Sequence, residues 1–361
     1  MQFGLFGGAR TKRGTGLEDS QGYESFIDYV IEADRLGFKH LFMVEHHFTG
    51  QGQVSASMTV LAYLAARTTR IRLGTAVVVL PWHNPVLVAE QVATLDLLSG
   101  GRVDLGVGKG YRQAEFDGFC IPMAEASERF DEAMEVIRKG WTAHEESASG
   151  RFSHHGKRWH YDDIVVEPAP LQRPHPPLWL AAGSPDSIRR AARDGYNLLL
   201  DQLAQTDQIG RRIALFREEC GKAGRAWDAN MVATARPLQM IHGEAERAAA
   251  WATRKRVVGV IGDLARDALP ARIEDDTAPL LGTPDEVIAR LRELEALGAT
   301  NILLVDPNAS VANLQAFARE VMPAFAATRQ QSIVPLAGTD RGDRGENSTE
   351  TLRKLRDEWE R

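Results

Sequence analysis

The chain has 361 residues, of which 43% are hydrophobic and 25% charged, and its formal net charge is −6. Such a composition allows a large buried core, and the interspersed charges give no basic face of the kind that nucleic-acid binding needs. The longest apolar run, Ala76 to Leu80, is far too short to cross a bilayer. Neither nucleic acid nor a membrane is therefore an expected partner.

The first residues read directly as a strand, without the basic start and long apolar segment of a signal peptide. Cys120 and Cys220 lie far apart and form no metal-ligand pattern. We therefore expect a cytoplasmic protein with reduced thiols and no metal site.

Short apolar segments alternate with amphipathic ones from the first residue to about residue 326. The predicted strands cover residues 3–6, 41–45, 71–80, 103–107, 178–182, 197–200, 232–237 and 301–305. The predicted helices cover residues 22–36, 55–67, 85–98, 126–145, 185–194, 206–222, 243–255, 284–297 and 310–326. Strict alternation implies a parallel sheet, and eight strand–helix units predict a closed α/β fold, the (β/α)8 TIM barrel.

Two insertions and a tail interrupt this alternation. Residues 146–177 hold an aromatic, histidine-rich stretch followed by prolines, which predicts a surface hairpin and an extended approach to the fifth strand. Residues 256–283 follow the seventh strand and are a candidate lid. Residues 327–361 read as a flexible linker and a short helix. The predicted organisation is a barrel over residues 1–326 followed by this tail.

Three polar, titratable residues, Glu45, His46 and His47, follow the second strand. The carboxyl ends of parallel strands are where active sites of such folds are built, and burying these groups unpaired would cost several kcal/mol. A solvated strand end or a satisfied core histidine would explain one histidine. Three such residues in a row favour a functional site.

Glycines occur at the ends of the third, fourth and fifth strands, in Leu73 to Pro81, Gly101 to Tyr111 and Leu178 to Ser187. Glycine lets a flat ring or a phosphate approach the backbone closely. Ser184 and Ser187 open a helix, where hydroxyls and free N–H groups attract an anion, and Lys109 is a candidate partner. Each cluster alone is weak evidence, but their order along the barrel strengthens it.

Together these segments resemble the bacterial luciferase-like flavin-dependent monooxygenases. The resemblance covers roughly residues 1–326 and rests on Glu-His-His-Phe at 45–48, Leu-Gly-Thr-Ala at 73–76, Gly-Arg-Val at 101–103 with Glu115-Phe116, Gln-Arg-Pro at 172–174 and Leu-Gly-Thr-Pro at 281–284. It implies a barrel that binds reduced FMN at its carboxyl-terminal mouth and uses O2 to oxygenate a small organic substrate. His46 would have an acid–base role, with Glu45 and His47 orienting the site and His47 pairing with Glu90.

The resemblance also implies the cofactor contacts. Ala76–Val77 would be a non-prolyl cis peptide against the flavin ring, and Arg129 would join the serines at the phosphate. The implied cofactor-binding residues are Glu45, Ala76, Val77, Gly108, Lys109, Gly110, Arg129, Gly183, Ser184 and Ser187. Lys109 replaces an arginine of luciferase, and Gly108 replaces its reactive cysteine. Because the 256–283 loop is also shorter than luciferase's lid, light emission is not expected.

Several alternatives stay open at this point. A deazaflavin (F420)-dependent oxidoreductase on the same barrel would move hydride without oxygen, and a flavin-binding protein would have no turnover. A metal-dependent hydrolase using both His46 and His47 is disfavoured, because adjacent strand residues point to opposite faces.

Partners follow from two further observations. Residues 106–110 miss the Gly-x-Gly-x-x-Gly spacing of nicotinamide binding, so reduced FMN would come from a separate flavin reductase. The second helix, residues 55–67, carries small and apolar residues on more than one face, which predicts a homodimer.

Overall fold

A computed structural model describes residues 1–11, 16–261 and 275–326. Its strands are β1 (Gln2–Gly7), β2 (His40–Met43), β3 (Arg72–Thr75), β4 (Val78–Val79), β5 (Val103–Gly108), β6 (Arg151–His155), β7 (His160–Val165), β8 (Leu178–Ala181), β9 (Asn197–Leu200), β10 (Val232–Met240), β11 (Leu280–Gly282) and β12 (Asn301–Val305). Its helices are α1 (Gly16–Leu36), α2 (Ser57–Arg67), α3 (Pro85–Ser99), α4 (Gln113–Gly118), α5 (Ala126–Glu146), α6 (Pro185–Arg193), α7 (Thr206–Lys222), α8 (Glu244–Ile261), α9 (Pro284–Ala296) and α10 (Val311–Glu320).

Eight parallel strands close into a barrel in the order β1, β2, β3, β5, β8, β9, β10 and β12, because β12 pairs with β1 and β10 pairs with both β9 and β12. The short strands β4 and β11 pair with β5 and β10 beside the barrel. The predicted TIM barrel and all eight of its strands are confirmed. Each strand is followed by a helix that covers it, as a parallel sheet requires.

Alternating side chains divide the core into two layers. Six buried side chains fill the inside of the barrel: Phe42, Trp179, Leu199, Ala233, Ala235 and Leu303. Their neighbours along the strands, such as Leu41, Leu198 and Leu304, belong to the larger core between barrel and helices. The partly buried Phe6, Ala76, Val77 and Val305 pack on the inner cluster. These four residues stand at or beyond the carboxyl ends of their strands and so mark the rim of the mouth.

The structure differs from the predicted elements in several places, and among the helices α1 begins at Gly16 rather than at 22 and α8 extends to Ile261 rather than to 255. The predicted strand 71–80 is divided into β3 and β4 by a cis peptide between Ala76 and Val77. The short helix α4 and the three-residue β11 were not predicted. The last helix ends at Glu320 rather than near 326, and a 3-10 turn over Met322–Phe325 follows, in which Pro323 has no N–H for a helical bond.

The hairpin predicted within residues 146–177 is confirmed, since β6 and β7 pair antiparallel. The candidate lid lies partly outside the described residues, which resume after the gap at 262–274. The tail, residues 327–361, lies wholly outside them. None of the described helices is long and apolar enough to cross a membrane.

Candidate active site

The alternation of side chains along β2 continues beyond its end and explains on which side of the barrel wall Glu45, His46 and His47 lie. Phe42 lies inside the barrel, so the positions two and four residues later, Val44 and His46, face the mouth. Leu41 and Met43 lie in the outer layer, and Glu45 and His47 follow on that side. The two histidines therefore point away from each other, as the sequence predicted.

His46 pairs with a buried carboxylate on a short helix farther along the chain. Its Nδ1 lies 3.1 Å from Oε1 of Glu115 on α4, and the same oxygen accepts the backbone N–H of His47 at 2.9 Å. Burial opposes the charge of Glu115, but these two hydrogen bonds outweigh it and hold the pKa of this carboxyl below its ordinary value. An ionised Glu115 accepts the Nδ1 proton of His46, which leaves Nε2 as the nitrogen that can take up a proton.

Tyr111 lies beside His46 at the opening of the mouth. The two rings meet edge to face with centroids 6.3 Å apart, and the guanidinium of Arg112 lies 5.5 Å from the Tyr111 ring centre. The side chain of His46 is only 14% exposed, whereas Tyr111 is 49% exposed. Tyr111 therefore covers the imidazole from the solvent side.

Glu45 supports the site from the outer layer. It is buried, and its Oε1 lies 2.8 Å from Nε2 of His83 and 3.4 Å from Nε2 of His47, while Oε2 accepts a 3.5 Å hydrogen bond from Ser57. Burial alone would raise the pKa of Glu45. The hydrogen bonds and charges of both histidines lower it by more, so the net pKa lies below its ordinary value. Within the described chain, His47 thus pairs with Glu45 rather than with Glu90.

Glycines near the Ala76–Val77 bond let the backbone pack closely against neighbouring side chains. The expected cis peptide between Ala76 and Val77 is present. A Cβ built on Gly108 would lie 2.6 Å from Cγ2 of Val77, and one on Gly110, which has φ +78°, would lie 2.8 Å from both Val79 and Phe116. A larger residue at either position would push these side chains out of place.

The groups predicted to hold a phosphate lie at two neighbouring helix starts. Lys109 Nζ donates to Ser127 Oγ at the start of α5 (3.1 Å), and Arg129 Nε donates to Glu125 (2.9 Å). Ser184 is the N-cap of α6: its Oγ accepts the N–H of Ser187 at 3.3 Å and donates to Ser187 Oγ at 2.9 Å.

An ion pair between Arg190 of α6 and Asp131 of α5 links these two helices. Gly183 precedes α6 and faces the guanidinium of Arg212, since a Cβ built there would lie 3.2 Å from Nη2. Cations, hydroxyls and free helix N–H groups are the donor set that a phosphate requires. The residues present therefore fit a flavin mononucleotide.

Several residues of this site were missed by sequence reasoning. Glu115 stood in a quoted motif without a role, and no role was assigned to His83, Tyr111 or Ser127. Their contacts join parts of the chain that are distant in sequence, so no local pattern identifies them. The described residues hold no cluster of three or more potential metal ligands.

Comparison with known proteins decides the family. A family model described as luciferase-like monooxygenase matches residues 1–301 of the chain. The chain belongs to the luciferase-like monooxygenase family. One relative is the oxygenase component of a flavin-dependent trigonelline monooxygenase from Acinetobacter baylyi. It is 28% identical to this chain, over 91% of this chain and 97% of that protein.

Further relatives and one solved structure are similar to this luciferase-like monooxygenase over most or part of its length. An FMNH2-dependent dimethylsulfone monooxygenase from Pseudomonas putida is 28% identical, over 75% of this chain and 79% of that protein. The crystal structure of the monooxygenase RslO1 from Streptomyces bottropensis superposes with a TM-score of 0.77 at 27% identity, covering 90% of this chain and all of that one. The match to two uncharacterised Sinorhizobium fredii proteins, 31% and 34% identical, covers 62% and 56% of this chain and 62% and 57% of their lengths.

Proposed function

We propose that this chain is the oxygenase of a two-component system: a monooxygenase that uses reduced FMN and O2 to oxygenate a small organic substrate. The observation that carries the proposal is the His46–Glu115 pair, in which a buried carboxylate lies against Nδ1 of an imidazole just beyond the carboxyl end of β2. Such a pair suits proton transfer, which a barrel that only bound flavin would not need.

Within this proposal each group has a distinct task. When bound, reduced FMN would supply the electrons with which O2 is activated and one oxygen atom is passed to the substrate. His46 Nε2 would hold or move the proton at the reacting centre, and Glu115 would fix the imidazole and stabilise its charged form. Glu45 acts through His47 and His83 and is therefore a positioning residue rather than a direct contact of the cofactor.

The remaining cofactor contacts are proposed from their places in the mouth. Ala76, Val77, Gly108 and Gly110 would pack against the ring, and Lys109, Arg129, Gly183, Ser184 and Ser187 would surround the phosphate. A separate flavin reductase would supply reduced FMN, which agrees with the FMNH2-dependent relative and with the oxygenase component among the relatives. The substrate class at this level is a small organic molecule, and the assembly proposed is a homodimer.

The test combines cofactor identity with oxygen use. The purified protein is loaded with FMN or with F420, a flavin reductase and NADH are supplied to the FMN sample, and O2 consumption is followed against a substrate library. We expect tight binding of reduced FMN and substrate-dependent O2 consumption that forms an oxygenated product. Preference for F420 with no O2 consumption would instead make the protein a hydride-transferring oxidoreductase.

A further inference from the structure

Five charged side chains form a cluster around Arg236, and one of them, Arg212, also borders the site described above. Arg236 on β10 is completely buried, Arg254 on α8 is 4% exposed and Asp276 is 2% exposed. Arg254 Nε donates to Asp276 Oδ2 at 2.9 Å, and Arg212 Nη1 donates to Asp201 Oδ2 at 2.8 Å. Three cations thus share two carboxylates.

Both carboxylates are already occupied by other partners. The second oxygen of Asp276 accepts hydrogen bonds from the side chain of Gln205 and the N–H of Ala278, each at 2.9 Å. The second oxygen of Asp201 accepts the N–H groups of Leu203 at 2.8 Å and Ala204 at 3.0 Å. Among the described residues each aspartate forms its direct ion pair with another arginine, so Arg236 has no carboxylate in contact, although both aspartates act on it at longer range.

Hydrogen bonding shows the same deficit. Arg236 Nη1 donates to the carbonyl of Ala204 at 2.9 Å, but its Nε and Nη2, and Nη2 of Arg254, are buried and without a partner among the described residues. An unpaired buried charge and unmade hydrogen bonds are both costly. Burial lowers the pKa of Arg236 to about 10, so the group is still charged at neutral pH.

We propose that a small monovalent anion, a halide or a carboxylate group, binds between the guanidinium groups of Arg236 and Arg254. The two groups lie within electrostatic range of each other and of Asp276. Such an anion would accept hydrogen bonds from the N–H groups that have no partner, and its negative charge would balance the positive charge of the cluster. This site goes beyond the proposed oxygenation and does not depend on it.

The anion would link β10 to α8 through the two arginines, and Arg236 in turn binds the loop that follows β9. Arg236 belongs to β10, Arg254 to α8, and the carbonyl of Ala204 to the loop that follows β9. That loop begins at Asp201, whose partner Arg212 also faces Gly183 at the start of α6. Binding of the anion would therefore stabilise the wall of the mouth next to the phosphate-binding serines.

The first experiment measures the Tm of the FMN-loaded protein in a sodium bromide series and compares wild type with Arg236→Met. Methionine removes the charge and the unmade donors while keeping an unbranched apolar side chain. We expect a saturable rise in the wild-type Tm of about 2 °C or more relative to the variant. The matched control is Arg225→Met, because Arg225 Nη1 already donates to the carbonyls of Ala191, Ala192 and Tyr196, and its bromide response should equal that of wild type.

The second experiment needs no variant, so it stands even if Arg236→Met does not fold. Wild-type crystals grown with FMN are soaked in sodium bromide, and an anomalous bromine peak is expected between Arg236 and Arg254. Replacing bromide by sodium acetate or benzoate in the Tm series distinguishes an inorganic ion from a carboxylate, either of which supports the site. The absence of a peak, or an equal salt response in wild type and Arg236→Met, would overturn the proposal.

Discussion

Glu115 and His46 can be separated by substitution because one acts through the other. His46→Ala removes the proton-carrying group and should lower turnover about 100-fold or more, whereas Glu115→Gln keeps the imidazole but removes the charge behind it and should cost about 10-fold. Both variants should bind FMN as wild type does. Steady-state kcat and KM with an identified substrate, and FMN affinity by fluorescence, are the measurements.

Two controls make this prediction specific. Asp117→Asn lies on the same short helix. Asp117 is exposed, and in the described chain its side chain bonds only to Gln113 at 2.8 Å, so this substitution should leave kcat unchanged. The double variant His46→Ala with Glu115→Gln should be no slower than His46→Ala alone, because Glu115 has nothing to position. Additive losses in the double variant would mean that Glu115 acts independently of His46.

At the residue scale, the sequence predicts which residues lie on a strand or at its end. It does not predict which residues from distant parts of the chain contact them. His46 was identifiable because a polar group follows an apolar strand, and the period of two separates it from His47. Glu115 is 69 positions away from His46, and the two meet only because α4 turns back across the mouth. A six-residue helix has too few turns to leave an amphipathic pattern, so its position could not be predicted.

At the element scale, the starts of α5 and α6 define the predicted phosphate site. Lys109→Gln removes the cation beside Ser127 and should weaken FMN binding about 10- to 100-fold, the usual loss for a charge-assisted hydrogen bond. Riboflavin lacks the phosphate, so its affinity should stay the same. The matched control is Lys139→Gln, farther along α5, where the lysine donates to the carbonyl of Ser153 at 2.8 Å. Equal losses for FMN and riboflavin would contradict this placement.

The turn between α2 and β3 depends on one carboxylate at the end of α1. Asp34 is buried and accepts the N–H groups of Thr69 (3.0 Å), Arg70 (2.9 Å) and Ile71 (2.7 Å). Burial raises the pKa of Asp34, but these backbone bonds lower it more, so the net pKa lies below its ordinary value. We expect Asp34→Asn to lose about 2 kcal/mol of stability at pH 7.

The pH dependence of that loss has a definite sign. A carboxyl whose pKa is lowered by folding contributes stability above its unfolded pKa, about 4, and the contribution disappears as the pH falls through the lower folded pKa. The Tm difference between wild type and Asp34→Asn should therefore be largest near pH 7 and shrink below pH 4. Asp28→Asn, an exposed position on the same helix, should show almost no difference at either pH. A difference that is constant with pH would show that the charge of Asp34 is not what stabilises the turn.

The elements of the barrel were predictable because burial on both faces makes parallel strands continuously apolar, and glycine ends the helices that precede them. The division of residues 71–80 was predictable only from the family resemblance, which implied the cis peptide, since Ala76 to Leu80 reads as one apolar run and no side-chain pattern marks such a bond. The three-residue β11 is likewise too short to carry a pattern. The predicted elements are thus those with enough residues for a period to repeat.

At the scale of the whole molecule, closure of the barrel brings together side chains that follow successive strands. Strands β2, β5, β8 and β9 contribute successive parts of the mouth, from His46 to Lys109, Ser184 and Asp201. The circular order of the strands follows from strict alternation and could be predicted. The distances across the mouth depend on loops and on short helices, and those come only from the structure.

The remaining prediction concerns assembly and the outer surface of α2 and α3. The exposed side of α3 carries Leu87, Leu97 and Leu98, which are 55%, 45% and 65% exposed, and neighbouring α2 presents Tyr63, which is 50% exposed. An outer helix of a barrel normally shows polar side chains to water, so this concentration of large apolar groups favours contact with a second copy of the chain. Ala62, in contrast, packs partly against the core, which makes the exposed leucines the better test.

Leu87→Arg should separate the proposed homodimer into folded monomers, because it places a charge on this apolar surface at a side chain that is 55% exposed. Sedimentation velocity of wild type and variant at micromolar concentration measures the change, and circular dichroism checks that the barrel is intact. The matched control is Leu17→Arg on α1, where the leucine is 72% exposed and away from α3, and the dimer should persist. A wild-type protein that sediments as a monomer would contradict the prediction outright, and the same state for Leu87→Arg and Leu17→Arg would move the interface elsewhere. Since the carboxylate of Glu45 joins His47 to Ser57 at the first turn of α2, loss of the dimer should also be visible as a change in kcat rather than in FMN affinity.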